Sequence, residues 1–349
     1  MWLLTVRDLL YRKRQFSIAA LGSALVFAMA LVLSGVAGGF RDEARRTVAA
    51  TGAESFVVAP GAGGPFVSFS ALPADALATV RRVPGVVAAD PLIVLQTPME
   101  HRAGRLDVHL VGHALGGLGT PPLERGRAVQ AAGEAVVDRS SGLRVDDRFG
   151  VAGVSLLVVG ESSRLHYAAG VANVYVALSD AQRVVFAGAP TITAVAVRGR
   201  PATLPAGLKL VTLAEARADI MRPLANAVRT LDICVAFLWL VAAVIIGAVS
   251  YLSALERLRD FAVLKAIGVP GRRIYGGLAA QSTLASLIAA LLAVGLSRGL
   301  GPTIPLPLAV PRSAFLVLPV VAVLVGLVAS LSGLRQAVRV DPALAFAGR

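Results

Sequence analysis

The sequence LDICVAFLWLVAAVIIGAVSYLSALERLRDFAVLKAIGVPGRRIYGGLAAQSTLASLIAALLAVGLS, residues 231–297, decides the class of fold. It contains two apolar segments, 231–252 and 274–297, and about 20 apolar residues suffice to cross the hydrocarbon core of a bilayer. The stretch that joins them, ERLRDFAVLKAIGVPGRRI, begins with charged residues and then becomes almost entirely apolar. A connector between two spans needs only a few polar residues, so the apolar part of this one requires an explanation.

The composition of the whole chain is typical of an integral membrane protein. Of its 349 residues, 56% are hydrophobic and 16% are charged, against roughly 25% charged residues in soluble domains, and the mean hydropathy is +0.73. Two further segments, 16–40 and 314–334, are long enough to span, which predicts four transmembrane helices. The first is too long for the apolar region of a signal peptide and no A-x-A site follows it, so we expect it to remain as an uncleaved span.

The positions of Lys and Arg predict the orientation of the chain, because cytoplasmic flanks of spans are enriched in both. Residues 1–15 contain four basic side chains and the 253–273 connector contains five, whereas the 298–313 connector contains two. We therefore expect both termini, including an amphipathic helix at 1–15 and a tail at 335–349, to lie in the cytoplasm with the 253–273 connector. Residues 41–229 and the short 298–313 loop are then extracytoplasmic.

The net charge of +13 belongs mainly to the membrane-associated parts of the chain. Residues 41–229 contain 20 basic and 16 acidic side chains, which leaves +9 of the +13 on the remainder. In these membrane-associated parts the positive charge sets the topology and attracts anionic lipid. The high isoelectric point therefore does not indicate a nucleic-acid partner.

The 41–229 segment is predicted to be an α+β domain with a mixed sheet. Alternating or continuous apolar runs predict six strands. They are ESFVVAP, VVAADPLIVL, RLDVHLVG, GVSLLVVG, NVYVAL and TAVAVRG. The domain begins with RDEARRTVAA and ends with LAEARADIMRPLANAVRT, both helical in pattern, which we expect to continue spans one and two outward as stalk helices.

Two shorter helices are expected between the strands, in PADALATVRRV and SDAQRVVFAG. Pro73 suits the first turn of one and Ser179 is the expected N-cap of the other. The glycine-rich stretch from Pro60 to Ser68 predicts a flexible loop.

The external segment offers little catalytic chemistry. His109 and His113 are four residues apart on an expected strand, roughly 13 Å along it, which is too far for one metal ion. Ser140 and Ser141 lack the G-x-S-x-G context of a nucleophile elbow. GHALGGLG lacks the Lys-Ser/Thr of a phosphate-binding loop, and no G-x-x-x-x-G-K-[ST] occurs in the chain, so we do not expect it to bind ATP by that route. The single cysteine, Cys234, excludes an intramolecular disulfide and a multi-cysteine metal site.

The helical pattern of the connector distinguishes two explanations. Its first half has a polar face and an apolar face, but in its second half Val263, Leu264 and Ile267 extend the polar arc with apolar side chains. Lipid would cover only one side of an interfacial helix, whereas a helix that is apolar nearly all round requires protein on more than one face. A helix lying along the inner leaflet and a helix that docks on a cytoplasmic protein both remain open, and the pattern favours docking.

The connector resembles the one between the second and third spans of permeases in the FtsX/MacB/LolC–LolE superfamily of ABC systems. Those connectors read like E-R-x-R-E-I-x-x-x-K-A-I/L-G-A. The resemblance implies a helix that couples to an ATP-binding subunit, formed here by Glu256, Arg257, Arg259, Asp260, Phe261, Val263, Leu264, Lys265, Ala266, Ile267 and Gly268. LPADALATVRRVPGVVAADPLI, VVDRSSGLRVDDRF, VYVALSDAQRVVFAG and RQAVRVDPALAF are similar to other family segments. Gln281 stands where the family often has Glu, which removes a charge from span three.

The resemblance implies a mechanotransmission permease. Two permease copies, identical or paralogous, would assemble with two cytoplasmic ATP-binding subunits, which hold the ATP and Mg. Nucleotide-driven closure would tilt the spans and move the external domains, in the plasma membrane of a bacterium. The intramembrane segments carry almost no charge, so no hydrophilic pathway is predicted. Small residues instead permit close helix packing. The expected ones are Gly22, Gly35, Gly38, Gly276 and Gly277.

The sequence leaves several functions open. An exporter or extraction machine is the first. A signalling subunit, whose external domain activates an extracytoplasmic partner such as a cell-wall hydrolase, is the second. Solute uptake is disfavoured because the four-span arrangement lacks a five-span core, and a membrane enzyme is disfavoured because no catalytic constellation is present. The cargo is not encoded in any motif that we recognise.

Overall fold

The structure is a computed structural model that describes residues 13–101, 104–162, 166–167, 170–256, 263, 267–300, 309–310 and 312–339. The chain divides into two compact units. One contains Met1–Gly39 with Ala227–Arg349, and the other contains Phe40–Asn226.

The first unit is helical and contains the apolar spans. The helices are α1 (Lys13–Ala50), which extends into the second unit, α5 (Ala225–Leu255), α6 (Gly271–Leu300) and α7 (Arg312–Arg339). Four helical segments among the described residues are long and apolar enough to cross a membrane: Ser17–Ala50, Leu213–Leu255, Gly276–Gly299 and Ser313–Ser330. The four apolar segments expected from hydropathy fall in these helices.

Small side chains allow the helices of this unit to approach closely. Its buried core is rich in alanine, with Phe27, Leu31, Ile246 and Leu318 as its larger members. A Cβ atom on Gly326 of α7 would lie 2.5 Å from the Cα of Thr283 in α6, so only glycine fits there. The glycines expected to permit close packing at 22, 276 and 277 meet nothing within 4 Å in one copy of the chain. The close approach in α6 and α7 therefore depends on a different glycine, at 326.

The second unit is built on an eleven-stranded mixed sheet. Its path runs β13–β1–β12–β3–β4–β10–β6–β8–β5, with β7 paired to β3 and β8, and β9 paired to β10. The pairs β4–β10 and β6–β8 are parallel and the others are antiparallel. β2 and β11 form a separate two-stranded sheet. The strands are β1 (Ser55–Val58), β2 (Leu72–Pro73), β3 (Val86–His101), β4 (Gly104–His113), β5 (Arg125–Gly126), β6 (Glu134–Asp138), β7 (Arg148–Val151), β8 (Val154–Ser162), β9 (His166–Tyr167), β10 (Val171–Ala177), β11 (Thr191–Ile192), β12 (Ala194–Gly199) and β13 (Lys209–Thr212).

Apolar side chains on both faces of the sheet form two cores. Successive residues of a strand point to opposite faces, and accordingly Phe56 and Val58 lie in one core while Val57 lies in the other. The first core is completed by the end of α1 and by α4 (Leu213–Met221); the second is completed by α2 (Ala76–Arg81) and α3 (Leu178–Phe186). Burial on both faces explains why strands such as β1 and β10 are almost continuously apolar.

The helix starts differ from two local expectations. Ser179 is not the N-cap of α3, because the preceding strand β10 runs directly into the helix and Ala177 occupies the cap position without a side-chain hydrogen bond. Pro73 lies in strand β2, and α2 begins three residues later with Asp75 at the N-cap. In both cases strand pairing, and not the capping signal, determines where the helix begins.

The expected stalk segments are helical. Residues 41–50 are the last part of α1, and Ala44 and Val48 belong to a core of the second unit. At the other end, α4, a 3₁₀ turn (Arg222–Leu224) and α5 follow one another. The start of α4 is a capping box in which Thr212 and Glu215 each bond to the other's backbone N–H, which lowers the pKa of the Glu215 carboxyl.

Candidate functional site

The 256–273 connector is described at its ends and at one internal position. α5 ends at Leu255, Glu256 N donates to the carbonyl of Leu252 at 3.1 Å, and α6 begins at Gly271. Seven of the expected coupling residues lie outside the described residues. They are Arg257, Arg259, Asp260, Phe261, Leu264, Lys265 and Ala266.

The described part of the connector contains a helical hydrogen bond and two exposed apolar side chains. Ile267 N donates to the carbonyl of Val263 at 3.1 Å, the i to i−4 bond of an α-helix. Gly268 follows with φ +86°, a conformation that ends a helix and favours glycine. The side chains of Val263 and Ile267 are 52% and 71% exposed. Residues four apart in an α-helix are neighbours on its surface, so these two side chains form one apolar surface that the described residues leave largely exposed.

A second cluster fixes the 66–68 loop to the helix α4. The Asp219 carboxylate is completely buried, and its Oδ2 accepts hydrogen bonds from the backbone N–H groups of Phe66 and Val67, both at 2.9 Å. Its Oδ1 accepts from the hydroxyl of Ser68 at 2.7 Å, and Arg222 donates to that same hydroxyl at 2.8 Å. The segment expected to be a flexible loop is therefore anchored at its end by a buried carboxylate about 150 residues away in sequence.

Glycines bring this loop close to α4. A Cβ atom on Gly64 would lie 2.5 Å from the Cβ of Asp219, and one on Gly63 would overlap the guanidinium of Arg222. The glycine-rich composition thus permits contact with the carboxylate in addition to a change of chain direction.

The two histidines are buried core residues. His109 is fully buried, its ring is stacked on Tyr167 at 3.7 Å between centroids, and its Nδ1 is 2.9 Å from Asn173 Oδ1. Burial lowers the pKa of His109 to about 4 and also lowers the pKa of His113, whose Nδ1 bonds to the carbonyl of Ala114. No group of three metal-ligating side chains occurs in the part of the chain that the structure describes.

The GHALGGLG stretch and the serines Ser140 and Ser141 make contacts that hold turns. In GHALGGLG, Leu118 N donates to Asp90 Oδ2 at 2.9 Å, so a carboxylate from β3 holds the turn. Ser140 N bonds to Asp138 Oδ1 at 2.9 Å in a 3₁₀ turn, and Leu143 N bonds to the hydroxyl of Ser141. Both contacts stabilise a turn.

These observations define the class of protein: a multi-pass membrane protein with four apolar helices and a large β-rich unit. The family model FtsX-like permease C-terminal matches residues 233–342, which include spans two to four and the connector. The chain is 42% identical over 343 residues, 98% of both chains, to ABC transporter permeases of Mycobacterium bovis and Mycobacterium tuberculosis. A second M. tuberculosis ABC transporter permease is 41% identical over the same length. The chain belongs to the FtsX-like ABC transporter permeases.

Two solved structures have weak similarity to part of the chain. One is the extracellular domain of the noncanonic ABC-type transporter YknZ from Gram-positive bacteria, with a TM-score of 0.33 and 13% identity, covering 42% of this chain and 83% of that one. The other is the periplasmic region of MacB from Actinobacillus actinomycetemcomitans, with a TM-score of 0.35 and 11% identity, covering 48% and 92%.

Proposed function

We propose that this permease couples ATP hydrolysis in a separate cytoplasmic subunit to movement of its 40–226 unit outside the membrane, and thereby drives export or extraction of a substrate. An ABC transporter permease works with an ATP-binding subunit, and the family identity supports the view that this chain is not itself the ATPase. ATP and Mg would be bound by that partner.

The observation that carries the proposal is the exposed apolar surface of Val263 and Ile267 in a charged connector. Fully burying an aliphatic side chain contributes about 1.5–3 kcal/mol relative to leaving it in water. Docking of the 256–268 helix in a groove of the ATP-binding subunit would bury both. Basic side chains in the same connector support a cytoplasmic position for it.

The helices at the ends of the 40–226 unit support transmission of motion. α1 supplies the apolar span Ser17–Ala50 and also Ala44 and Val48 of the β-unit core. Leu213–Leu255 is likewise helical from the β unit to the end of span two. A change of tilt in either span would therefore act directly on residues of the β-unit core.

The surface of α5 supports assembly with a second permease copy. Only 22% of the most apolar stretch of the helical segment Leu213–Leu255 is buried within one chain. The side chains of Ile233, Phe237, Leu240 and Val244 are exposed. Lipid covers such a surface in a single copy, and a second copy, identical or paralogous, would cover it in the assembly that we propose.

Co-purification with a candidate ATP-binding subunit tests the docking step. The variant Ile267→Glu places a charge on the exposed apolar surface, where docking would desolvate it at a cost of several kcal/mol. We expect the wild-type chain to retain the ATPase and Ile267→Glu to lose most of it. The matched control is Val87→Glu, which adds the same charge at a 79% exposed position of the β unit. Equal retention by all three chains would contradict docking through this surface.

A signalling function is the second candidate, and one observation favours it. Phe69 is 77% exposed and lines, together with the neighbouring Val67, the rim of a cavity of about 170 Å³ in the β unit. An exposed apolar rim of this kind suits a protein partner. If Phe69→Ser abolishes activation of an extracytoplasmic enzyme and no substrate leaves the membrane in an ATP-dependent way, signalling replaces export.

A further inference from the structure

A basic cavity lies in the β unit, away from the connector. It has a volume of about 370 Å³, within the roughly 300–1,000 Å³ typical of ligand pockets. Its lining residues are Arg125, Arg139, Gly142, Leu143, Arg144 and Glu161. Leu143 and Glu161 are buried and form its inner part, whereas the three arginines are exposed. Three arginines and a single acidic residue thus line one cavity.

The fold fixes the positions from which these arginines extend. Arg125 of β5 is directly opposite Glu161 in the antiparallel β5–β8 pair, so their side chains are neighbours. Arg139 and Arg144 flank a turn at the end of β6. That turn is held by the bond from Ser140 N to Asp138 Oδ1, by Gly142 in the left-handed region and by the bond from Arg144 N to Asp147 Oδ2. The cavity is therefore bounded by hydrogen-bonded backbone.

Carboxylates among the described residues leave most of the positive charge of these arginines unpaired. Among the residues that the structure describes, Arg125 and Arg144 form no ion pair, although Glu161 lines the same cavity. Arg139 has a single weak pair, with its Nη1 3.9 Å from Oε1 of Glu124, and both side chains are largely exposed. Such a pair contributes little and leaves the donors of Arg139 available.

We propose that this cavity binds a phosphate group carried by an anionic ligand. An arginine presents its donors in a planar fork that matches two oxygens of a carboxylate or phosphate. One such fork satisfies a carboxylate, whereas the several oxygens of a tetrahedral phosphate accept from two or three forks. Glu161 at the inner end accepts a hydrogen bond from a hydroxyl or amine next to the phosphate. A lipid headgroup and a soluble phosphomonoester both present this chemistry.

The test uses the full chain in nanodiscs of phosphatidylcholine. Inorganic phosphate and glycerol phosphate are titrated by calorimetry in one arm. In the other arm, the same nanodiscs are floated with vesicles of phosphatidylcholine, with and without phosphatidylglycerol. The variant carries Arg125→Gln, Arg139→Gln and Arg144→Gln together. The matched control carries Arg82→Gln, Arg105→Gln and Arg200→Gln, three exposed arginines that do not line the cavity.

We expect the cavity variant to bind at least tenfold more weakly than the wild type, and the control to bind within twofold of it. If the cavity variant loses binding both to the soluble phosphates and to the phosphatidylglycerol vesicles, a phosphate group alone is sufficient for binding. If it loses binding only to the phosphatidylglycerol vesicles, the ligand is a lipid headgroup. Equal binding by the cavity variant and the control in both arms overturns the proposal.

Two further variants separate recognition from general attraction and from misfolding. The variant that combines Arg125→Lys, Arg139→Lys and Arg144→Lys keeps the charge and removes the planar forks, so its binding should still fall several-fold. Binding as tight as that of the wild type would contradict recognition by guanidinium geometry. If the triple glutamine variant does not fold, Arg144→Gln alone, at an exposed position, is expected to weaken binding at least threefold, and no change would overturn the proposal.

Discussion

Replacing Asp219 by alanine should release the 66–68 loop from the helix α4. The buried carboxylate accepts three hydrogen bonds from this loop, two from backbone N–H groups and one from the hydroxyl of Ser68. Alanine leaves the N–H groups of Phe66 and Val67 without an acceptor, and an unsatisfied buried donor costs about 1–3 kcal/mol. For the two N–H groups together, the free energy that keeps the loop closed should therefore fall by about 2–6 kcal/mol.

Hydrogen exchange measures this loss at the loop itself. One kcal/mol changes an equilibrium about fivefold, so the amides of Phe66 and Val67 should exchange roughly 25 to 15,000 times faster in Asp219→Ala. Mass spectrometry of peptides covering 60–70 in the full detergent-solubilised chain gives these rates. Asp107→Ala is the matched control, because Asp107 is exposed in β4. Unchanged exchange in Asp219→Ala would refute the stabilising role of the buried carboxylate.

Two other predictions concern buried positions. His109 has a pKa of about 4 in the folded chain and an ordinary value near 6.5 when unfolded, so the unfolded chain binds the proton more readily. The stability that neutral His109 contributes is present above pH 6.5, and it should fall by about 3 kcal/mol between pH 6.5 and 4. Urea unfolding should therefore show that the free energy of unfolding depends more steeply on pH in the wild type than in His109→Gln. Equal slopes for the two chains would contradict the burial of a neutral His109. Gly326→Val should destabilise the protein in detergent by about 1–3 kcal/mol, because the new Cβ would overlap Thr283. Gly295→Val is the control, because a Cβ there meets nothing within 4 Å. Equal melting temperatures for the two variants would argue against the close approach of α6 and α7.

The four apolar helices and most central strands follow from the sequence because their signals are local. A span is recognised by length and hydropathy alone, without knowledge of its neighbours. The six predicted strands are observed because burial on both sheet faces makes them long and apolar. The short strand β6, Glu134–Asp138, has only three apolar residues in a row, AVV, and a run of that length does not distinguish a strand from a loop.

The predicted starts of the two short helices are wrong, because the observed starts depend on tertiary contacts. Ser179 has the chemistry of an N-cap, yet pairing of β10 with β4 extends as far as Ala177 and fixes the first helical residue at Leu178. Pro73 is paired with Thr191 in a two-stranded sheet, a contact with a residue more than one hundred positions away.

The sites that sequence reasoning missed are assembled from distant residues. Asp219 and the 66–68 loop are separated by about 150 positions, and each looks ordinary alone: a carboxylate in a helix and a glycine-rich loop. One arginine of the basic cavity lies in the short strand β5 and the other two flank the turn after β6, and no sequence spacing indicates that they meet. The coupling residues, by contrast, are nearly contiguous, so the sequence alone predicts the coupling helix. Seven of its eleven residues lie outside the described residues, and their coupling role stays a prediction.

The most direct test of ATP-driven movement is a distance measured between two copies of the β unit in the assembled complex. Cys234→Ser removes the single native thiol, and Val87→Cys then provides one labelling site at a highly exposed position. Double electron–electron resonance between spin labels is recorded without nucleotide and with ATP held unhydrolysed. We predict that ATP shifts the distance distribution and that Ile267→Glu abolishes the shift. An identical distribution in both nucleotide states, in a complex that retains its ATP-binding subunits, would contradict coupling of ATP to the β unit.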